Sequence, residues 1–154
     1  MGFDISNLTE FEKDLLKLAN DTMKKESTKF LKKSATKLSK EQKKEIKTIN
    51  TGLNDEQKKL LLSKTKAGKV YKYEGKLSCR AFSGAVIKGK NENFYSLSGM
   101  INNGYVHRGG KNKDGKETFI EGQHFMESAQ YIFEGTYYEE VQKFIDDMLD
   151  KGLN

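Results

Sequence analysis

The fold is decided by residues 68–82, GKVYKYEGKLSCRAF, where the pattern of the chain changes. Aromatic and β-branched residues alternate with polar ones on both sides of Glu74-Gly75, a pair typical of a tight turn. The stretch therefore predicts a β-hairpin with strands at 69–73 and 77–82. On either side the periodicity is helical, returning near Gln123, so we expect an α+β fold with a small antiparallel sheet.

The first part of the chain, residues 1–67, is expected to be helical. Thr9 and Glu12 have the spacing of a capping box, in which each side chain binds the other residue's backbone N–H. An apolar stripe at helical spacing surrounds them: Leu8, Phe11, Leu15 and Leu18. We therefore expect a long N-terminal helix.

A lysine-rich segment continues this helical part. From Lys24 to Lys47 lysines almost surround the helix axis, which favours a helix facing solvent, acidic protein or phosphate. Ser39-x-x-Gln42 is a second capping signal and predicts that the helix restarts near Lys40. Asn54 is expected to cap a further short helix that runs to Ser63.

The region after the hairpin mixes short elements, and with the hairpin it forms the middle part, residues 68–122. Residues 93–103 are expected to be helical, with Phe94, Leu97 and Ile101 on one face and Gly104 as the stop. Residues 109–116, rich in glycine and lysine, are expected to form either a loop without a fixed conformation in the free subunit or an ordinary exposed hairpin tip. Phe119-Ile120 predicts a short returning strand.

The C-terminal part, residues 123–154, has the strongest amphipathic pattern. Its helix is expected to pack on the sheet, to be bent or interrupted at Gly135 and to end at Gly152. Its predicted core residues are Phe125, Ala129, Ile132 and Phe133, and the apolar pattern continues with Val141, Phe144, Ile145, Met148 and Leu149. The three parts together predict a single domain over residues 1–154.

The composition predicts a thin core. The chain has 154 residues, 35% of them hydrophobic and 32% charged, with a mean hydropathy of −0.79. Its 9 Phe and 7 Tyr nevertheless exceed what a wholly disordered chain carries. The longest apolar runs are a few residues, which excludes a membrane span, and the acidic start lacks a signal-peptide pattern.

Charge is divided along the chain. Residues 24–72 carry 16 basic and 5 acidic side chains, a net charge of +11, whereas residues 117–154 carry 2 basic and 9 acidic ones, a net charge of −7. This polarity suits a nucleic-acid surface, and it equally suits identical subunits packed head to tail.

No residue pattern points to catalysis, a cofactor or a metal. His107 and His124 are the only histidines, Cys79 is the only cysteine, and metal-ligand spacings and a phosphate-binding loop are missing. We expect structural histidines in or near turns, and Cys79 as a small buried hydrophobic residue in a strand. The whole chain has 26 Lys and only 2 Arg, and its lysine-rich run lacks interleaved aromatic residues. A solvated or partner-facing helix is therefore favoured over a nucleic-acid contact.

Longer segments carry a family resemblance. The stretches Tyr95–Arg108 and Phe119–Ala129, with the N-terminal amphipathic helix and the hairpin, resemble the tail-completion or neck proteins of long-tailed bacteriophages and prophages, the gene-product-ten-like tail components. Seven positions match the motifs of that family: Gly104, His107, Arg108, Gly122, His124, Phe125 and Ala129. The likeness covers nearly the whole chain.

The resemblance implies a structural virion protein without enzymatic activity or cofactor, found in the neck or tail and assembled in the cytoplasm of the bacterial host. Its subunits would form a ring at the head–tail junction, where they complete the tail and contact connector, tail-terminator or tail-tube proteins. Candidate contacts with a partner or with DNA in the channel are Lys32, Lys33, Lys43, Lys44, Lys111 and Lys113.

Two other functions stay open on the residues alone. A basic nucleic-acid-binding protein would place the segment from Lys24 to Lys72 on the phosphate backbone. An enzyme would need a site around His107, Arg108 and His124.

Overall fold

A computed structural model describes residues 22–50, 52–89, 92–108 and 117–153. It contains four helices, which are α1 (Met23–Thr48), α2 (Asp55–Lys64), α3 (Leu97–Asn103) and α4 (Phe125–Leu153). Eight short strands lie between them: β1 (Thr65–Ala67), β2 (Tyr71–Tyr73), β3 (Lys76–Ser78), β4 (Ala81–Ser83), β5 (Val86–Lys88), β6 (Phe94–Ser96), β7 (Gly104–Arg108) and β8 (Glu117–Glu121). The α+β class is confirmed.

The strands form four separate antiparallel pairs: β1 with β4, β2 with β3, β5 with β6 and β7 with β8. The predicted hairpin is present, and Tyr71 pairs with Ser78 across the Glu74-Gly75 turn. Its second strand ends at Ser78, however, because Ala81–Ser83 pairs with β1 instead. The predicted strand near Phe119 is also present, as β8.

Helix α1 is continuous, so the restart predicted near Lys40 is wrong. It buries Ser34, Ala35, Ser39, Gln42 and Ile46 despite its lysines. Ser39 donates to Thr36 O inside the helix at 2.8 Å and caps nothing. Helix α2 begins as predicted, because the Asn54 side chain accepts from Gln57 N at 2.8 Å and Gln57 returns the bond.

Helix α4 packs antiparallel along α1, whereas the sequence led us to expect a sheet as its partner. Phe30 of α1 stacks on Phe144 of α4 with ring centroids 4.6 Å apart, and Lys37 forms an ion pair with Glu140. The two helices have more residue contacts with each other than any other pair of elements. The acidic and basic segments of the chain therefore meet within one subunit.

The helix passes through Gly135 without a break, contrary to expectation. Contacts with α1 after this glycine, as between Phe30 and Tyr137, offset its poor helix propensity, which costs about 1 kcal/mol relative to alanine. Of the predicted core residues, Phe125 and Ala129 are buried and Phe133 is half-buried. Ile132 is 49% exposed, because it lies about 60° around the helix from Ala129.

The core lies where the end of α1, α2, α3 and the first turn of α4 meet. Its buried residues are Ile46, Ile49, Leu61, Ala85, Leu97, Ile101 and Phe125. Phe94, which we expected on the inner face of a helix, lies in β6 and is 74% exposed. The helix of this region starts three residues later, where Ser96 caps α3 by accepting from Gly99 N.

Candidate functional site

Two of the matching family positions, Gly104 and Gly122, lie where two backbones cross, at the junction of α3, β7, β8 and α4. Gly104 ends α3 with a φ of +84°, and a Cβ there would lie 2.4 Å from Ile120 O. A Cβ at Gly122 would lie 2.2 Å from Asn102 O. Only glycine allows this approach, since real Cβ atoms do not come within 3.0 Å of a backbone atom. The glycines of the motif are thus structural here.

A buried asparagine at the same crossing, Asn102, was missed by the sequence analysis. Its Oδ1 accepts from Met126 N at 2.9 Å, and its Nδ2 donates to Asn103 Oδ1 at 2.8 Å and to Glu127 Oε1 at 3.0 Å. Asn102 therefore caps α4 from another helix. Sequence capping rules inspect neighbouring residues only, so a cap supplied 24 positions away leaves no local signal.

The two histidines do not build a reactive centre. His124 precedes α4, is exposed and has a φ of +47°. His107 pairs with Thr118, three positions along the β7–β8 ribbon from the Gly104–Glu121 pair, or about 10 Å. Arg108 ends β7 opposite Glu117. Within the described ranges no group of three His, Cys, Asp or Glu side chains could hold a metal ion.

Cys79 is half-buried, and its Sγ lies 3.5 Å from Gly68 O as a weak donor. It lies between β3 and β4, so the prediction of a buried position within a strand is wrong in both respects, because the second strand of the hairpin ends at Ser78.

The candidate lysines do not share one surface. Lys32 is exposed and donates to Ala67 O and Gly68 O, which joins α1 to the strand region. Lys33 lines a cleft between α1 and α4 that also holds Glu26, Glu140 and Asp147. Lys44 pairs with Glu41 at 2.7 Å, and Lys43 is half-buried. Lys111 and Lys113 lie outside the described residues, as do the rest of the 109–116 loop and the predicted Thr9 cap with its apolar stripe.

A second cleft has a different lining, and we call it the basic–aromatic groove. It has a volume of about 730 Å³ and lies between α1, β1, β2 and β4. Its cations are Lys32, Lys66, Lys69 and Arg80, and its rings are Tyr71, Tyr73 and Phe82. None of the lining residues that the structure describes is a carboxylate.

Strand register explains this lining. Lys66 of β1 and Phe82 of β4 are cross-strand partners, so their side chains lie on one face of the pair. Arg80 lies two residues before Phe82 on the same face, with its guanidinium carbon 5.5 Å from the ring centroid. The sequence does not show the lysines of α1 and these rings as one surface, because only the fold brings Lys32 beside the rings.

The described part of the chain has no helix that is long and apolar enough to cross a membrane. In comparisons with protein-family models, with curated proteins and with solved structures, none matches this chain.

Proposed function

We propose that this chain is a non-enzymatic structural subunit of a phage or prophage neck, which assembles into a closed ring and helps to join the tail to the DNA-filled head. The proposal rests on the resemblance of the segments around Gly104 and Gly122, and on one observation about the surface. Among the described residues, more large apolar side chains lie exposed than buried. A monomer in water gains nothing from such a surface, whereas an assembled subunit covers it.

The clearest exposed surface runs along the outer side of α4, and we call it the α4 stripe. It consists of Tyr131, Gly135, Tyr138, Gln142, Ile145 and Leu149, which alternate in steps of four and three residues. Tyr131 and Tyr138 are 81% and 75% exposed. This spacing is the one by which helices pack along each other, and the stripe is about 27 Å long. We assign it to contact with a second copy of this chain.

Further apolar residues lie on the two β ribbons that precede α4. Phe94 and Tyr95 are exposed on β6, and Val106 and Phe119, which pair across β7 and β8, are exposed on the other ribbon. Surfaces on different elements favour heterologous contacts, in which one patch of a subunit meets a different patch of the next. Heterologous contacts close into rings when the rotation divides the circle.

The charge division supports the ring less directly than the sequence suggested. The basic α1 and acidic α4 pair inside one subunit, as Lys37 and Glu140 do, so part of the attraction between the two segments is used within the chain. Apolar burial between copies is therefore the main driving force in the proposal, and exposed charges contribute specificity and association rate. Above and below the ring would lie connector, tail-terminator or tail-tube proteins.

Phosphate binding along the whole lysine-rich helix is the alternative that the sequence left open. The dispersal of Lys32, Lys33 and Lys44 into three different surroundings weighs against it. An enzyme is likewise not favoured, because His107 and His124 lie in separate, exposed positions.

The deciding experiment is made in the particle. Deleting the gene should leave filled heads and separate tails that do not join stably, and expression of the intact chain should restore joined, infectious particles. The double variant Tyr131→Ser/Tyr138→Ser should restore few, whereas Thr136→Ala, an exposed change on α4 away from the stripe, should restore them fully. Normal yields of joined particles without the gene would refute the neck assignment.

A further inference from the structure

The basic–aromatic groove has the composition of a binding site rather than of a solvated surface. Three of its cations, Lys66, Lys69 and Arg80, form no ion pair with any described carboxylate. Elsewhere on the described chain Lys29, Lys37, Lys44 and Lys88 do pair with acidic residues. Because none of the described residues that line the groove is a carboxylate, its positive charge is left for a ligand.

The rings of the groove are accessible. Tyr71 and Tyr73 are 42% and 61% exposed. They are two residues apart on β2, so both point to one face of the hairpin, with their Cα atoms about 7 Å apart. Exposed flat rings beside unpaired cations are the combination that binds single-stranded nucleic acid, in which bases stack on aromatic side chains and phosphates lie against basic ones.

Two of the cations, Lys32 and Arg80, are held in place around these rings. The Lys32 ammonium is held by Ala67 O and Gly68 O at the edge of the groove, and the Arg80 guanidinium lies over Phe82. Gly68 N donates to Arg80 O at 2.8 Å, which fixes the link between β1 and β2 to the residue that precedes β4. A groove with preplaced charges loses less side-chain entropy on binding than free lysines do.

The size of the groove favours single-stranded nucleic acid over duplex. Its volume of about 730 Å³ lies in the range of about 300–1,000 Å³ that accommodates small ligands, which suits one or two nucleotides. The bases of a duplex are paired and stacked, so Tyr71 and Tyr73 could not reach their faces. A duplex would meet the groove through phosphates alone.

We infer that the basic–aromatic groove binds single-stranded nucleic acid, with bases stacked on Tyr71 and Tyr73 and phosphates bound by Lys66, Lys69 and Arg80. This site is independent of ring formation, because one subunit supplies all of its residues. It also differs from phosphate binding along α1, since only Lys32 of that helix takes part.

The experiment measures fluorescence anisotropy of a labelled twelve-nucleotide thymidine strand with the full chain, from low to physiological salt. We expect the logarithm of the binding constant to fall linearly with the logarithm of salt concentration, with a slope of about −1.4 to −2.1 for two to three phosphates at about −0.7 each. A twelve-base-pair duplex should bind at least five-fold more weakly, and thymidine monophosphate should compete only at much higher concentration.

One variant removes charge from the groove and another removes a ring, and each has a matched control elsewhere on the chain. Lys69→Gln/Arg80→Gln should weaken strand binding at least ten-fold and reduce the slope by about 1.4, the share of two phosphates. Lys40→Gln/Lys59→Gln removes the same charge at exposed positions outside the groove and should have little effect. Tyr73→Ser should weaken binding five-fold or more through loss of one stacked base, whereas Tyr138→Ser should not. Circular dichroism confirms that each variant is folded.

Several results would overturn the inference. Equal losses of strand affinity in the two double variants would mean that lysines attract the strand diffusely. If the duplex bound as strongly as the single strand, and Tyr73→Ser left strand affinity unchanged, the groove would contact phosphates alone. Equal affinity for the monophosphate would mean a mononucleotide site. Absence of strand binding at low salt would refute the site. If sedimentation showed that Lys69→Gln/Arg80→Gln abolishes self-association, the groove would be a contact between subunits.

Discussion

Phe125 is the residue whose truncation tests the packing most directly. It is 1% exposed, starts α4, and contacts the core cluster that α1, α2 and α3 build. Phe125→Ala removes a buried ring and leaves a cavity, which costs about 3–5 kcal/mol of unfolding free energy. Since domains of this kind are stable by about 5–15 kcal/mol, the loss is at least about a fifth of the total.

The assay is urea unfolding followed by far-ultraviolet circular dichroism and tyrosine fluorescence, because the chain has 7 Tyr and no Trp. For a chain of this length the thermal midpoint should fall by roughly 6–20 °C. Phe94→Ala is the matched control, since the same ring is removed from a side chain that is 74% exposed, and it should cost about 0.5 kcal/mol or less.

Phe125→Leu keeps the site apolar and should cost less than about 1.5 kcal/mol, so the series remains measurable if the alanine variant does not fold. A midpoint for Phe125→Ala within error of the parent, or an equal loss for Phe94→Ala, would show that the core does not lie at the start of α4.

Two further predictions concern the backbone crossing and the carboxyl of Glu26. Gly122→Ala should destabilise the protein by about 2 kcal/mol or more, because the new Cβ would lie 2.2 Å from Asn102 O. Gly135→Ala, whose Cβ would meet nothing within 4 Å, should stabilise it by about 0.5–1 kcal/mol. Denaturant midpoints measure both changes, and the opposite order of stability would contradict the crossing. The hydrogen bond from Lys29 lowers the pKa of Glu26 below its ordinary value of 4.5, so the pair stabilises above that pH and the contribution disappears as pH falls through the lowered pKa. Lys29→Gln should therefore raise the pKa of Glu26 in an NMR titration, and an unchanged pKa would assign the shift to another cause.

Local sequence signals predicted the elements whose determinants are a few residues apart. The Asn54 cap of α2, the turn at Glu74-Gly75 and the stop at Gly104 depend on capping bonds and glycine conformations within four or five residues. The α+β class follows from these elements and from the change of periodicity around them. The buried positions Phe125 and Ala129 were predicted from helical spacing alone.

Tertiary structure decided everything that depends on distant partners. Ala81–Ser83 leaves the predicted hairpin because β1 supplies its hydrogen bonds, and Ile132 is exposed because α4 lies along α1 and not on a sheet. The groove needs Lys32 beside Arg80, which are 48 positions apart in sequence. Periodicity predicts which side of an element is apolar. The element that packs against that side depends on competition among all the faces of the folded chain, so local sequence patterns do not predict it.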